Sequence, residues 1–201
     1  HGVAFWIERP QDAAAAIAAL SPAAGLAGER YRTAPGGFSA EKVDDGSRLL
    51  ADNLPADLRG KVADFCAGWG YLSARLAERP QVASIDLYEA DHASLEAARD
   101  NMSRLAPDMP AAFHWRDLAS EPVAERYDAI VMNPPFHQGR AAEPDIGLAM
   151  IRAAHGALKP GGRLFLVANR GLPYEAELKR LFRTSGESAR AAGFKVLWAG
   201  R

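Results

Sequence analysis

Tyr127-Asp128-Ala129-Ile130-Val131-Met132-Asn133-Pro134-Pro135-Phe136-His137-Gln138-Gly139 is the stretch on which the fold turns. A mostly apolar run, Tyr127 to Met132, stops at an asparagine, two prolines and an aromatic. A short apolar run followed by breakers reads as a buried strand. Pro134 lacks an N–H and confines Asn133 to extended geometry. Asn133 therefore stands at the carboxyl end of a strand, with its amide and the nearby carbonyls held in place. Rigid acceptors followed by a flat ring suit a planar group that carries an amine, either a nucleobase or a side-chain amide. A strand that ends in a proline turn, with Phe136 tucked into the core, fits the same residues. The rest of the chain decides between these readings.

Around this strand the pattern is regular from Phe38 onward. Strands are expected over Lys61 to Cys66, Val82 to Glu89, Ala112 to Trp115, Tyr127 to Met132 and Arg163 to Ala168. Two more, near Ser188 and from Phe194 to Trp198, flank Ala192-Gly193 and predict a terminal hairpin. Helices are expected over Val43 to Asn53, Tyr71 to Glu78, His92 to Leu105, Ile146 to Leu158 and Glu175 to Phe182. Lys159-Pro160-Gly161-Gly162 is the stop after the fourth of these. Strands alternating with such helices predict an α/β fold, a mostly parallel seven-stranded sheet with helices on both faces. Residues 1–37 are Ala-rich and weakly patterned, with a helix expected from Asp12 to Leu20 and a loop at 34–37. They read as an N-terminal extension or the remnant of an upstream domain, and residues 38–201 as the main domain.

Composition narrows the function. The 201 residues carry 24 Lys+Arg against 25 Asp+Glu, so the whole molecule is not a polycation. A local basic face remains open. The lone cysteine, Cys66, rules out an internal disulfide and a cysteine-built zinc cluster. No apolar run approaches the about 18 residues of a membrane span, and no signal peptide is evident. A cytoplasmic protein is expected, and the start at His1 leaves room for a preceding segment.

In a parallel sheet, ligands bind outside the carboxyl ends of the strands. After the first strand come Asp64-Phe65-Cys66-Ala67-Gly68-Trp69-Gly70 and a helix. Small residues let a ligand approach the backbone, and the helix start supplies N–H groups. A dinucleotide fingerprint needs a glycine at 73, where this chain has Ser73. Asp64 would repel a pyrophosphate and accept from an ammonium. Glu89 ends the second strand, about twenty residues past the glycines, where an acid meets ribose hydroxyls. Asp86 and Asp91 compete with it. Asp117, after the third strand, suits an adenine amine or a plain helix cap. Three acids, a Gly-x-Gly and Asn133-Pro134-Pro135-Phe136 on four successive rim loops together describe S-adenosylmethionine and a methyl recipient.

At this point the chain resembles the class I methyltransferases of the methyltransferase small-domain family, and among them bacterial ribosomal RNA guanine-N2 methyltransferases. Three stretches carry the likeness: Phe38-Ser39-Ala40-Glu41-Lys42-Val43-Asp44-Asp45-Gly46-Ser47; Asn133-Pro134-Pro135-Phe136-His137 with Gly139; and Val167-Ala168-Asn169 with Leu172-Pro173-Tyr174-Glu175. The likeness spans about residues 36–201. It implies a Rossmann-like fold, S-adenosyl-L-methionine as cofactor and RNA, ribosomal RNA or a ribosomal subunit, as partner. The candidate cofactor-binding residues are Phe38, Asp64, Ala67, Gly68, Gly70, Glu89, Ala90, Asp117, Leu118 and Asn133. The candidate catalytic residues are Asn133, Pro134, Pro135 and Phe136. The chain departs from the family at Cys66, usually Gly, and at Trp69 between the glycines. Cys66 would be strained at positive φ. Family members also commonly carry a second, degenerate domain on the N-terminal side.

The expected chemistry is methyl transfer to an exocyclic amine, N2 of a guanine. The Asn133 side-chain oxygen and the Pro134 carbonyl would accept the amine hydrogens and turn the lone pair toward the methyl carbon. Phe136 would stack on the base, and no strong general base is required. Adenine N6 or a glutamine amide is the alternative recipient, and a silent RNA-binding module the alternative of another class. Residues 151–201 hold ten Lys/Arg against three Asp/Glu, and residues 81–130 hold four against ten. Such asymmetry suits a one-sided phosphate-contacting face.

Overall fold

The computed structural model describes residues 6, 8, 12–20, 25–28, 30–135, 137–138, 141–142 and 144–201. The chain opens with α1 (Ala13–Leu20), then the short strands β1 (Gly25–Ala27) and β2 (Tyr31–Thr33), and α2 (Asp45–Asp52). Next come β3 (Gly60–Phe65), α3 (Tyr71–Ala77), β4 (Val82–Glu89), α4 (His92–Leu105) and β5 (Ala111–Trp115). After β6 (Tyr127–Met132) come the two-residue strands β7 (His137–Gln138) and β8 (Ala141–Ala142), and then α5 (Pro144–Ala157). The chain closes with β9 (Leu158–Asn169), α6 (Tyr174–Leu181), β10 (Thr184–Ala191) and β11 (Phe194–Gly200).

Seven strands make one sheet in the order β10-β11-β9-β6-β3-β4-β5. The pairs from β9 to β5 are parallel, and β11 runs antiparallel to both β9 and β10. This is the expected Rossmann-like, mostly parallel seven-stranded sheet with a C-terminal antiparallel hairpin. Chain order reverses between β3 and β6: β4 and β5 build outward on one side, β9 and β11 on the other. The carboxyl ends of β3 and β6 therefore flank the crevice of the sheet.

Alternation along the buried strands divides the core in two. Val62, Val131, Phe165 and Val167 face α2, α3 and α4. Ala63, Phe65, Ile130, Met132, Leu164 and Leu166 face α5 and α6. Each fully buried aliphatic side chain contributes about 1.5–3 kcal/mol. That double burial makes β6 nearly all apolar and its sequence signal strong.

Two details of the sheet differ from the sequence reading. The glycine-rich stop after α5 does not separate helix from strand, because β9 already pairs at Leu158 with Tyr127 before the register shifts. Gly161 takes φ 78°, and a Cβ at Gly162 would sit 3.0 Å from the Tyr127 carbonyl oxygen, so this segment forms an irregular strand start. The strand near Ser188 runs for eight residues, with Ser188 itself in a bulge between Glu187 and Ala189. Its turn, Ala192-Gly193, has φ of 49° and 85°, the left-handed pair that a two-residue hairpin wants.

The hairpin of β1 and β2 was not anticipated. It is tied down by Asn101 of α4, which is fully buried. The Asn101 Oδ1 accepts from the Arg32 N–H at 2.9 Å, and its Nδ2 donates to the carbonyls of Arg32 (2.7 Å) and Trp69 (2.8 Å). Ala27 and Tyr31 belong to the same core cluster as α2, α3 and α4, although the sequence reading draws the domain edge at residue 38. Among the described residues no helix is long and apolar enough to cross a membrane.

Candidate active site

Phe65 and Met132 are register partners, so Cys66 and Asn133 leave the sheet side by side. Between their loops lies a cleft of about 480 Å³, within the size range of small-molecule sites. Phe38, Cys66, Gly68, Tyr88, Glu89, Ala90, Arg116, Asp117, Leu118, Ala119, Asn133, Pro134, Pro135, Ile146 and Met150 line it. A smaller recess of about 30 Å³ adjoins it, bounded by Phe38, Ser39, Asp44, Ser47, Cys66, Ala67, Gly68, Trp69 and Asn133, among others. Of the candidate residues, Phe38, Ala67, Gly68, Glu89, Ala90, Asp117, Leu118, Asn133, Pro134 and Pro135 meet in these two spaces. Phe136 falls outside the described residues.

The glycine loop is shaped by two left-handed glycines. Gly70 has φ 85° and begins α3, and a Cβ there would lie 3.1 Å from the Ala98 methyl. It lines neither space, so its part is to bring helix and loop together. Gly68 has φ 53° and donates its N–H to Glu89 Oε2 at 2.8 Å. Glu89 Oε1 accepts the Asp91 N–H at 2.9 Å. Each carboxylate oxygen keeps a second lone pair, a fixed pair of acceptors suited to a vicinal diol. Its sequence competitors are spent elsewhere. Asp91 caps α4 through Ser94, and Asp86 is buried against Tyr127 and Lys61.

Asp64 does not reach the cleft, contrary to the role expected of it. It is fully buried and accepts the Ser73 hydroxyl at 2.7 Å through Oδ2. Among the described residues its buried Oδ1 has no partner. Burial pushes its titration up to about 7, against the Ser73 hydrogen bonds that lower it. A strand interior one residue short of the loop leaves no path for this side chain to a ligand. The acid beside Gly68 in the recess is instead Asp44. Asp117 lines the cleft, but also caps its own turn through the Ala119 N–H and the Ser120 hydroxyl. The latter bond holds its carboxyl below the usual range.

Cys66 has φ 59°, the strained conformation foreseen for it. Burial, and then the nearby Glu89, Asp64 and Asp117, push its thiol up, so it stays protonated. Trp69 turns away from the cleft into the core, 4% exposed and packed on Tyr31 at 5.1 Å. Its indole N–H donates to the Phe38 carbonyl at 3.0 Å and ties the Phe38 segment across the loop. Cys66 and Trp69 thus both bound the small recess beside Gly68, while the larger cleft, which Gly68 also lines, is free of the Trp69 ring.

Asn133 is oriented from α2. Its Nδ2 donates to Asp44 Oδ2 at 2.9 Å and to Ser47 Oγ at 2.8 Å. Asp44 is also the N-cap of α2, accepting the Ser47 N–H at 2.7 Å. Both of these bonds to Asp44 go to Oδ2, and Asp44 itself bounds the recess. Sequence reasoning quoted Asp44 and Ser47 but gave them no role, although Asp at a helix start is a capping signal. It missed Tyr88, Ile146 and Met150, apolar walls that carry no local motif.

A crevice at the strand reversal, a glycine loop, an acid on the second strand and Asn-Pro-Pro on the fourth define a Rossmann-like methyltransferase domain. The chain belongs to the family described as Methyltransferase small domain, whose model matches residues 29–198. It is 38% identical over 164 residues to the Ribosomal RNA large subunit methyltransferase G of Shewanella amazonensis, covering 81% of this chain and 43% of that protein. It is 36% identical over 170 residues to the Ribosomal RNA small subunit methyltransferase C of Hamiltonella defensa, covering 85% and 50%. Among solved structures it is similar to the T. thermophilus 16S rRNA N2 methyltransferase RsmC in complex with AdoMet and guanosine. That match has a TM-score of 0.74 and 35% identity, covering 85% of this chain and 47% of that one. The chain spans about half the length of the curated relatives it matches, or less.

Proposed function

We propose that this domain transfers the methyl group of S-adenosylmethionine to an exocyclic amine of ribosomal RNA, N2 of a guanine. The observation that carries the reading is the fixed Asn133 amide, whose free oxygen stands beside the cleft next to Cys66 and Gly68. The cofactor fits the donor set present. Glu89 offers two acceptors for ribose hydroxyls, Leu118, Tyr88, Ile146 and Met150 offer apolar walls for the base, and the Asp44 recess suits a cationic end.

When bound, S-adenosylmethionine supplies an electrophilic methyl group. The chain's own residues do the rest. An aromatic amine is a poor nucleophile because its lone pair is delocalised into the ring. Asn133 Oδ1 and the Pro134 carbonyl accept its two hydrogens and hold the lone pair in line, which removes several kcal/mol of the barrier through positioning. Both acceptors also favour the charge that develops on the amine. Pro134, without an N–H, offers only its carbonyl. The product proton leaves to water.

The choice of guanine and of ribosomal RNA is supported by the relatives and by the guanosine-bound T. thermophilus structure. Such a substrate supports a cytoplasmic setting for the domain. The test is incubation with 16S and 23S ribosomal RNA and methyl-labelled cofactor, followed by digestion to nucleosides. Label is expected in N2-methylguanosine, and Asn133→Ala is expected to abolish transfer while calorimetry still detects cofactor. Label in another nucleoside, or activity of Asn133→Ala within a few-fold of the parent, overturns the proposal.

A further inference from the structure

The amide of Asn133 has two orientations related by a half-turn, and they are chemically opposite. One presents an oxygen to the cleft and accepts from an amine. The other presents an NH2 and donates to a carbonyl. Guanine carries both kinds of group, N2 and O6, on the two ring carbons that flank N1. Something must therefore choose the orientation before any substrate arrives.

The inner neighbours of this amide are Asp44 Oδ2 at 2.9 Å and Ser47 Oγ at 2.8 Å. A carboxylate oxygen only accepts, whereas a serine hydroxyl adapts to either partner. With the amide reversed, its oxygen would face Asp44 Oδ2 lone pair to lone pair at hydrogen-bond distance. With the amide as found, both Nδ2 hydrogens are taken and only the oxygen is left. Asp44 is in turn held in place. It caps α2 through the Ser47 N–H, and Gly46 admits the close approach, since a Cβ there would meet Asp44 Oδ2 and the Phe194 ring at 3.0 Å.

We propose that Asp44 is a positioning residue that locks the Asn133 amide oxygen-outward and so makes the site select an amine over a carbonyl edge. Ser47 is its adaptable partner. This rests on the reading that Asn133 faces the recipient group, and it adds that the polarity comes from α2, not from the Asn133-Pro134-Pro135 loop. This half-buried acceptor costs little to maintain because the same carboxylate oxygen also satisfies the helix start. Substrate recognition and helix capping thus share one atom.

The experiment removes the shared acceptor, with methyl transfer to ribosomal RNA, cofactor affinity and thermal stability as readouts. Asp44→Ala takes away both cap and lock, so kcat is expected to fall at least tenfold. Asp44→Asn puts an amide oxygen where the Ser47 N–H requires an acceptor, and the same oxygen still meets Asn133 Nδ2, so it is expected to recover at least tenfold in kcat over Asp44→Ala. Asp44→Ser keeps a helix cap on a side chain one atom shorter, and is expected to regain stability without regaining kcat. A merely structural role predicts that Asp44→Ser and Asp44→Asn recover alike. Side-chain amide NMR supplies a readout that does not need turnover: the Asn133 NH2 hydrogens should exchange slowly in the parent and fast in Asp44→Ala. Full activity of Asp44→Ala, an Asp44→Ser variant as active as Asp44→Asn, or equal exchange in parent and Asp44→Ala overturns the lock. If Asn133→Ala is inactive while Asp44→Ala is fully active, only the lock fails. If Asn133→Ala is itself active, the assignment of Asn133 fails as well.

Discussion

Tyr174 of α6 closes on the backbone of Gly147 in α5, so tightly that a Cβ at position 147 would overlap the tyrosine hydroxyl oxygen. Tyr174 is fully buried, and among the described residues its hydroxyl has no hydrogen-bond partner. The contact seats α5 and with it Ile146 and Met150, two walls of the cleft. The helix, the tyrosine and the site are thus one packed unit.

Gly147→Ala should force α5 outward, costing about 1–3 kcal/mol of stability as overpacking and weakening cofactor binding. Gly156→Ala in the same helix meets nothing within 4 Å. It should instead stabilise by up to about 1 kcal/mol through helix propensity. Thermal unfolding of the two variants separates the effects. Equal shifts would mean that the Tyr174 contact does not hold the helix.

Asp64 predicts a pH dependence. Its folded titration lies near 7, above its ordinary 3.8, because it is buried. Between about pH 4 and pH 7 the folded state keeps a proton that the unfolded chain has lost. Stability should therefore fall as pH rises through that window and level off above it, by on the order of 4 kcal/mol at most. Asp64→Asn should flatten the profile and gain relative stability above pH 7. It should also disturb cofactor affinity less than Glu89→Gln, which strips charge from the acid that holds Gly68. Unfolding from pH 4 to pH 9, with calorimetry on both variants, checks the two statements.

Cys66 at φ 59° predicts an ordering of small substitutions. Cys66→Ala keeps the left-handed penalty, and Cys66→Gly removes it. Glycine should come out more stable than alanine by about 0.5–1 kcal/mol, after allowance for its freer unfolded chain. Denaturant midpoints give the difference, and alanine as the more stable of the two would show that the loop is relaxed at this residue.

What was legible in the sequence is local in origin. The apolar run of β6 ended by Asn133-Pro134-Pro135, the glycine turn at 68 and 70, and the strand that ends near Glu89 are written in burial period and backbone freedom. These determine the order of elements and which loops share the rim. Tertiary structure alone decided which side chains arrive there. Asp64 and Asp44 look alike as acids near a glycine-rich or helix-starting segment, yet one is sealed in a strand and the other reaches Asn133 from 89 residues away. The β1–β2 hairpin and the Gly147–Tyr174 contact were likewise invisible, because each depends on a partner, Asn101 or α6, supplied by another part of the chain. Periodicity records whether a residue is buried; only the pairing of strands and helices fixes what it is buried against.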